Sequence, residues 1–216
     1  MHLFRVLLNG ELNMFKTKRI VIIFISVVIA VVLSCLLFTA CVTPTEDKIK
    51  TDGIPSEYMI ISDDNFIEYQ KGNDCSAYAS AYVMRNLGNL VKADDIYPDI
   101  KRRFGFVSTS SIVELFKEYG YNAKAYQGDI NTLKRRLNDG IPIIVFTSIT
   151  KDTHYIVAVG YDEQYIYLVD SISDNVNSNG RYYNRKLKTE EFEKIWKTNV
   201  YFASNIYIVA DRQKIK

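Results

Sequence analysis

The chain has 216 residues, with 27 Lys and Arg against 25 Asp and Glu and a net charge of +2. The basic residues are scattered and form no obvious stripe, which gives no case for nucleic acid as a partner. With only 10 Gly and 4 Pro, nothing reads as a low-complexity linker or a repeat array. The chain has three cysteines and two histidines, so the surroundings of each one carry information.

Residues 1–13 are out of place ahead of a secretory n-region, and Met14 is the expected start, with 1–13 an upstream extension from a misassigned start. Lys16, Lys18 and Arg19 then precede an uncharged apolar run from Ile20 to Ala40. Residues 14–40 therefore read as a signal peptide or a membrane anchor, its basic flank held in the cytoplasm and the rest of the chain outside. The run ends in "LLFTAC", which resembles the lipobox of bacterial lipoproteins. That resemblance implies cleavage before Cys41 and lipid attachment to it. An uncleaved helix with an incidental Cys41 is the alternative. Either way, the chain is expected at the cell membrane of a bacterium, with residues 42–216 on the extracytoplasmic side.

Residues 41–58 are polar with two Pro and read as a tether, leaving 59–212 as the globular domain. Its first helix is expected over 75–87, apolar or small on most sides and so largely buried, with Gly88 as its stop. A second runs from Ser108 to Gly120, with Ser111 and Glu114 as a capping box. A third starts at an Asp129 cap and ends near Gly140. The pattern then changes to the apolar, β-branched runs "IPIIVFTSI", "HYIVAVGY" and "QYIYLVDS", with a hairpin turn at "YDEQY". A last helix, Thr189 to Trp196, precedes the strand "NIYIVA". Helices first and an antiparallel sheet second make an α+β domain.

Cys75 is the only cysteine after residue 41. It begins a helix, where unpaired N–H groups and the helix dipole favour the reactive thiolate. Asp74 opposes this, so a positive partner is required. His154 starts a strand and Asp170 ends the next one. About a turn centred near Asp162 both lie eight positions out, opposite or diagonal to each other. Asp170 would orient the imidazole and stabilise its cation. Gln70, in the loop before the helix, would bind an oxyanion together with the Cys75 N–H. Taken singly, each residue has a bland reading: a buried thiol, a structural histidine, a strand cap, a solvated amide. Their joint arrangement points to a thiol hydrolase. No cofactor is implied, and one His with one Cys does not make a zinc site.

Residues 60–210 resemble the papain-like C39 peptidases, specifically the stand-alone C39-like branch. The resemblance rests on Gln70, "DCSAYASAYVM", "ELFKEYGYNAKAY…LKRRLNDGIPIIVF", "HYIVAVGYDEQYIYLVDS" and "TEEFEKIW". It implies a papain-like α+β fold, in which N-terminal helices pack on a C-terminal antiparallel β-sheet. It also implies thiol hydrolysis of a peptide or protein substrate, often after small residues such as a Gly-Gly pair. Ser76 stands where that family usually has Gly, and Ser171 where it usually has Pro. "DCS" is also similar to the nucleophile of NlpC/P60 cell-wall peptidases. The rival functional readings are therefore a cell-wall peptide hydrolase and a catalytically inactive surface binding module.

Overall fold

A computed structural model describes residues 18–32, 44–102, 105–149, 152–198 and 203–212. The chain divides into two compact units, residues 1–43 and 44–216. In the first, residues 18–32 form a helix (α1) whose apolar side chains are exposed. Among the described residues no helix is long and apolar enough to cross a membrane. Met14 and Cys41 lie outside the described residues.

In the second unit, a short parallel strand β1 (Thr45–Glu46) and strand β2 (Tyr58–Met59) precede helices α2 (Cys75–Asn86), α3 (Ala93–Ile96) and α4 (Thr109–Glu118). Strand β3 (Tyr121–Gln127), helix α5 (Ile130–Leu137) and strands β4 (Ile143–Ile149), β5 (Asp152–Tyr161) and β6 (Tyr165–Val169) follow. Strand β7 (Arg185–Lys188), helix α6 (Thr189–Trp196) and strand β8 (Ile206–Arg212) end the fold. The sheet runs β1-β3-β8-β4-β5-β6-β7, with β2 on β5. Every pairing is antiparallel except β1 with β3. The domain is α+β, as its sequence predicts. Helix and strand are more interleaved than a helices-first layout, because β3 lies between α4 and α5 and pairs with β8.

The sheet has two covered faces, and strand alternation explains both. Tyr155, Val157 and Val159 of β5 join α2 and α4 in one core cluster. Ile156, Ala158 and Tyr161 join α5 and α6, through Leu133, Leu137, Phe192 and Trp196, in the other. Helix α2 is buried almost all round: Ala77, Ala81 and Met84 have no exposed surface. Its alanines and Ser80 are small enough for a sheet and two helices to close on one cylinder.

Helix ends follow local chemistry. The Asp129 cap is present and forms a box with Thr132. At α4 the capping hydroxyl is Ser108, which accepts from the Ser111 amide, in place of a Ser111–Glu114 box. The run offers several serines, and the backbone geometry selects Ser108 as the cap.

Of the segment expected to be a tether, the described residues 44–58 are docked at both ends. Thr45 and Glu46 pair with Tyr126 and Gln127, and Tyr58 and Met59 pair with Tyr161 and Gly160. Strand β5 extends past the start of β4, which covers it only as far as Ala158. Strand β2 takes the backbone groups that would otherwise form an open edge. Gly160 permits this: a Cβ there would lie 2.6 Å from the Tyr58 carbonyl. Asp47, buried, accepts two bonds from Arg136 and one from Tyr207. Polar composition suggested a solvated tether, but one carboxylate with a matched guanidinium is enough to dock it.

Candidate active site

Cys75 is the first residue of α2 and is half-buried. Its helix has no side-chain cap at Asp74, whose carboxylate instead accepts from the Gly72 amide at 3.3 Å. The Asp74 carbonyl takes the Ala77 and Tyr78 amides. The Cys75 and Ser76 N–H groups have no acceptor within the helix, as at any helix start.

His154 and Asp170 meet. His154 Nε2 lies 2.8 Å from Asp170 Oδ1, and both side chains are buried. The hairpin brings them together diagonally. Val157 pairs with Val169 and Ala158 with Leu168, and the register slips at Gly160. Asp170 therefore follows on opposite Ile156, two positions from His154. The turn is held by Asp162, whose Oδ1 accepts the Gln164 and Tyr165 amides. It is centred between Glu163 and Gln164, later than its sequence suggests, and the bulge at Gly160 takes back one position of the resulting offset.

With Nε2 committed to Asp170, the other ring nitrogen is left for Cys75, which acts on the same imidazole and favours its charged form. Burial works against a charged imidazole here. The Asp170 bond and the influence of Asp170 and Cys75 together outweigh it, and His154 is raised from 6.5 to about 9. Asp170 shows the converse balance. Burial disfavours its charge, but the His154 bond and charge, the Ile172 amide and Arg185 hold the carboxyl below its usual range.

The structure adds residues that the sequence did not single out. Asp170 Oδ1 also accepts the Ile172 amide at 2.9 Å. Its Oδ2 accepts from Asn175 Nδ2 at 3.0 Å and Arg185 Nη1 at 2.6 Å. Asn184 clamps the Asp170 backbone, accepting its N–H at 2.8 Å and donating to its carbonyl at 2.7 Å. No local motif marks Arg185 or Asn184. Only the β6–β7 pairing, which sets Arg185 against Leu168, carries them to the site.

Gln70 sits beside Asp170 through the next residue. Its backbone N–H donates to the Ser171 carbonyl at 2.9 Å, and the Ser171 hydroxyl donates to Gln70 Oε1 at 2.7 Å. A proline at 171 would lack that hydroxyl. Gln70 Nε2 donates one hydrogen to the Gly72 carbonyl at 2.6 Å, so a single amide hydrogen remains for any other acceptor. Among the described residues no group of three or more His, Cys, Asp or Glu could hold a metal ion.

A cysteine at the start of a central buried helix, against a strand-borne histidine backed by a buried aspartate, has the parts of a thiol hydrolase. Residues 63–205 match the Peptidase C39 family, and the chain belongs to it. It is a cysteine peptidase with a papain-like α+β fold. Three solved structures are similar. A C39-like peptidase from Bacillus anthracis is 18% identical, with a TM-score of 0.55 over 73% of this chain and 100% of that one. Xylellain, a cysteine protease from Xylella fastidiosa, is 13% identical, with a TM-score of 0.56 over 82% and 93%. A double glycine motif protease from an AMS/PCAT transporter, crystallised with its leader peptide, is 18% identical, with a TM-score of 0.53 over 68% and 91%. No curated protein matches the chain.

Proposed function

We propose that this peptidase hydrolyses exported or surface peptides through Cys75, His154 and Asp170, with Gln70 as oxyanion donor, on the outer side of the bacterial membrane that its N-terminus enters. The observation that carries the reading is the buried 2.8 Å bond from His154 to Asp170, with Cys75 at the helix start acting on the same imidazole. His154 takes the thiol proton on the nitrogen that faces Cys75. The thiolate attacks the scissile carbonyl. The Cys75 N–H and the remaining Gln70 amide hydrogen hold the oxyanion. His154 then protonates the leaving amine, and water hydrolyses the thioester with His154 again as base.

Membrane attachment is supported by the basic Lys16, Lys18 and Arg19 ahead of an uncharged run that ends at Cys41. A leader peptide bound to a similar peptidase supports a flexible peptide as the substrate class. The test is digestion of a library of exported peptides, some with Gly-Gly pairs, with products identified by mass spectrometry. The full-length protein should cut a subset, and Cys75→Ala should cut none. Equal cleavage by both would remove Cys75 from the reaction.

A further inference from the structure

Asp170 carries more partners than orienting a histidine requires. Two of its donors are neutral side-chain or backbone groups, one is His154, and one is a permanent cation. Arg185 Nη1 lies 2.6 Å from Oδ2, with the Arg185 side chain 11% exposed and that of Asp170 0%. A guanidinium keeps its charge at any pH the protein meets. Its placement on the oxygen that His154 does not use divides the carboxylate between two cations.

That division bears on catalysis. His154 must hold a proton while Cys75 is a thiolate and give it up to the leaving amine. If the imidazole were the only cation near Asp170, each proton release would strand a bare buried carboxylate. That is a costly state, so the proton would be held too tightly. With Arg185 present, Asp170 is compensated in both protonation states. We propose that Arg185 is a positioning residue of this site: it keeps Asp170 ionised and turned with Oδ1 toward His154, and its charge limits how tightly the imidazole holds its proton.

The groups facing His154 come from three elements. Cys75 lies on α2 and Asp170 at the end of β6. On β4 the cross-strand neighbour is Thr147, which is neutral. Tyr155, the next residue on β5, is kept in its neutral form by burial and by the nearby Cys75 charge. Asp170 in turn faces Asn175, neutral, and Arg185 on β7. Arg185 is thus the one fixed charge in the set.

The inference rests on the proposed catalytic roles, but its test reads a proton and not turnover. The chain has two histidines, so the full-length protein with His2→Gln leaves His154 as the single imidazole. Its titration is followed by NMR of that ring. Two unit charges about 6 Å apart at an effective dielectric near 20 predict a shift of about two pH units. Arg185→Gln should therefore raise the His154 midpoint by at least about one pH unit, while Arg185→Lys, which keeps the charge, should stay near the parent value. A second comparison does not depend on the Gln variant tolerating a buried lone carboxylate. Asp170→Asn/Arg185→Gln removes both charges, and its midpoint should lie above that of Asp170→Asn alone. Midpoints that do not move in either comparison overturn the proposal, whatever happens to activity. If the midpoints move but no peptide is cleaved, Arg185 keeps its role and the hydrolytic reading fails.

Discussion

Asp170→Asn tests the electrostatic core of the site. The substitution keeps the shape of the residue and a carbonyl oxygen that can accept the His154 Nε2 hydrogen, but it removes the charge. In the native protein Asp170 and Cys75 raise His154 from 6.5 to about 9 against the cost of burial. At 1.36 kcal/mol per pH unit, that rise corresponds to about 3 kcal/mol favouring the imidazolium. In the variant, burial is opposed by Cys75 alone, and Arg185 is left uncompensated 2.6 Å from the new amide. The His154 midpoint should then fall to about 6.5 or below. At pH 7.5 the protonated fraction would drop from nearly all to roughly a tenth. Iodoacetamide alkylation of Cys75, followed by mass spectrometry from pH 5 to 10, reads this directly. The native rate should stay high up to about pH 9 and depend on His154. The variant should be about tenfold slower at pH 7.5. The stability consequence has a definite sign. A folded midpoint above the unfolded one gives stability that is full below about 6.5 and is lost as pH rises through about 9. Urea midpoints of the native protein should fall across that window by an amount worth about 3 kcal/mol, and those of the variant should stay nearly flat. Superimposable alkylation profiles for the two proteins would show that Asp170 does not set the charge on His154.

Four further outcomes are expected. Gln70→Ala should lower peptide turnover by roughly 100-fold to 1000-fold, as loss of one oxyanion donor does, while Cys75 alkylation, which develops no oxyanion, barely changes. Ser171→Ala, which frees Gln70 Oε1, should lower turnover by a smaller factor and have no effect in a Gln70→Ala background; additive losses would separate the two residues. Asp47→Ala should destabilise the domain by about 3 kcal/mol or more in urea, because it leaves a half-buried Arg136 without its carboxylate; a loss under 0.5 kcal/mol would mean the 44–58 segment is docked only loosely. Cys41→Ser should abolish labelling by a palmitate analogue in cells, and equal labelling of both forms would exclude lipid attachment at Cys41.

The residues proposed to carry the chemistry were legible in the sequence because each is chemically singular. There is one cysteine after residue 41 and one histidine in the domain, and the Asp is separated from that histidine by a turn that strand periodicity makes visible. The helix ends at Asp129 and Gly120, the buried alanine-rich helix and the α+β class were also written locally, in propensities and periods that need no partner. The rest depended on contacts between distant segments. Strand β3 and the short β7 have mixed composition and form because β8 and β6 offer them unpaired backbone. Residues 44–58 look like a tether until β5 proves longer than β4 and Arg136 meets Asp47. The register slip at Gly160, where β2 pairs with β5, cuts the offset of His154 from Asp170 from three positions to two and so puts both on one face. Arg185 and Asn184 have no signature at all. They matter because β7 lies beside β6, and long-range pairing brings a permanent charge to a buried carboxylate fifteen residues away.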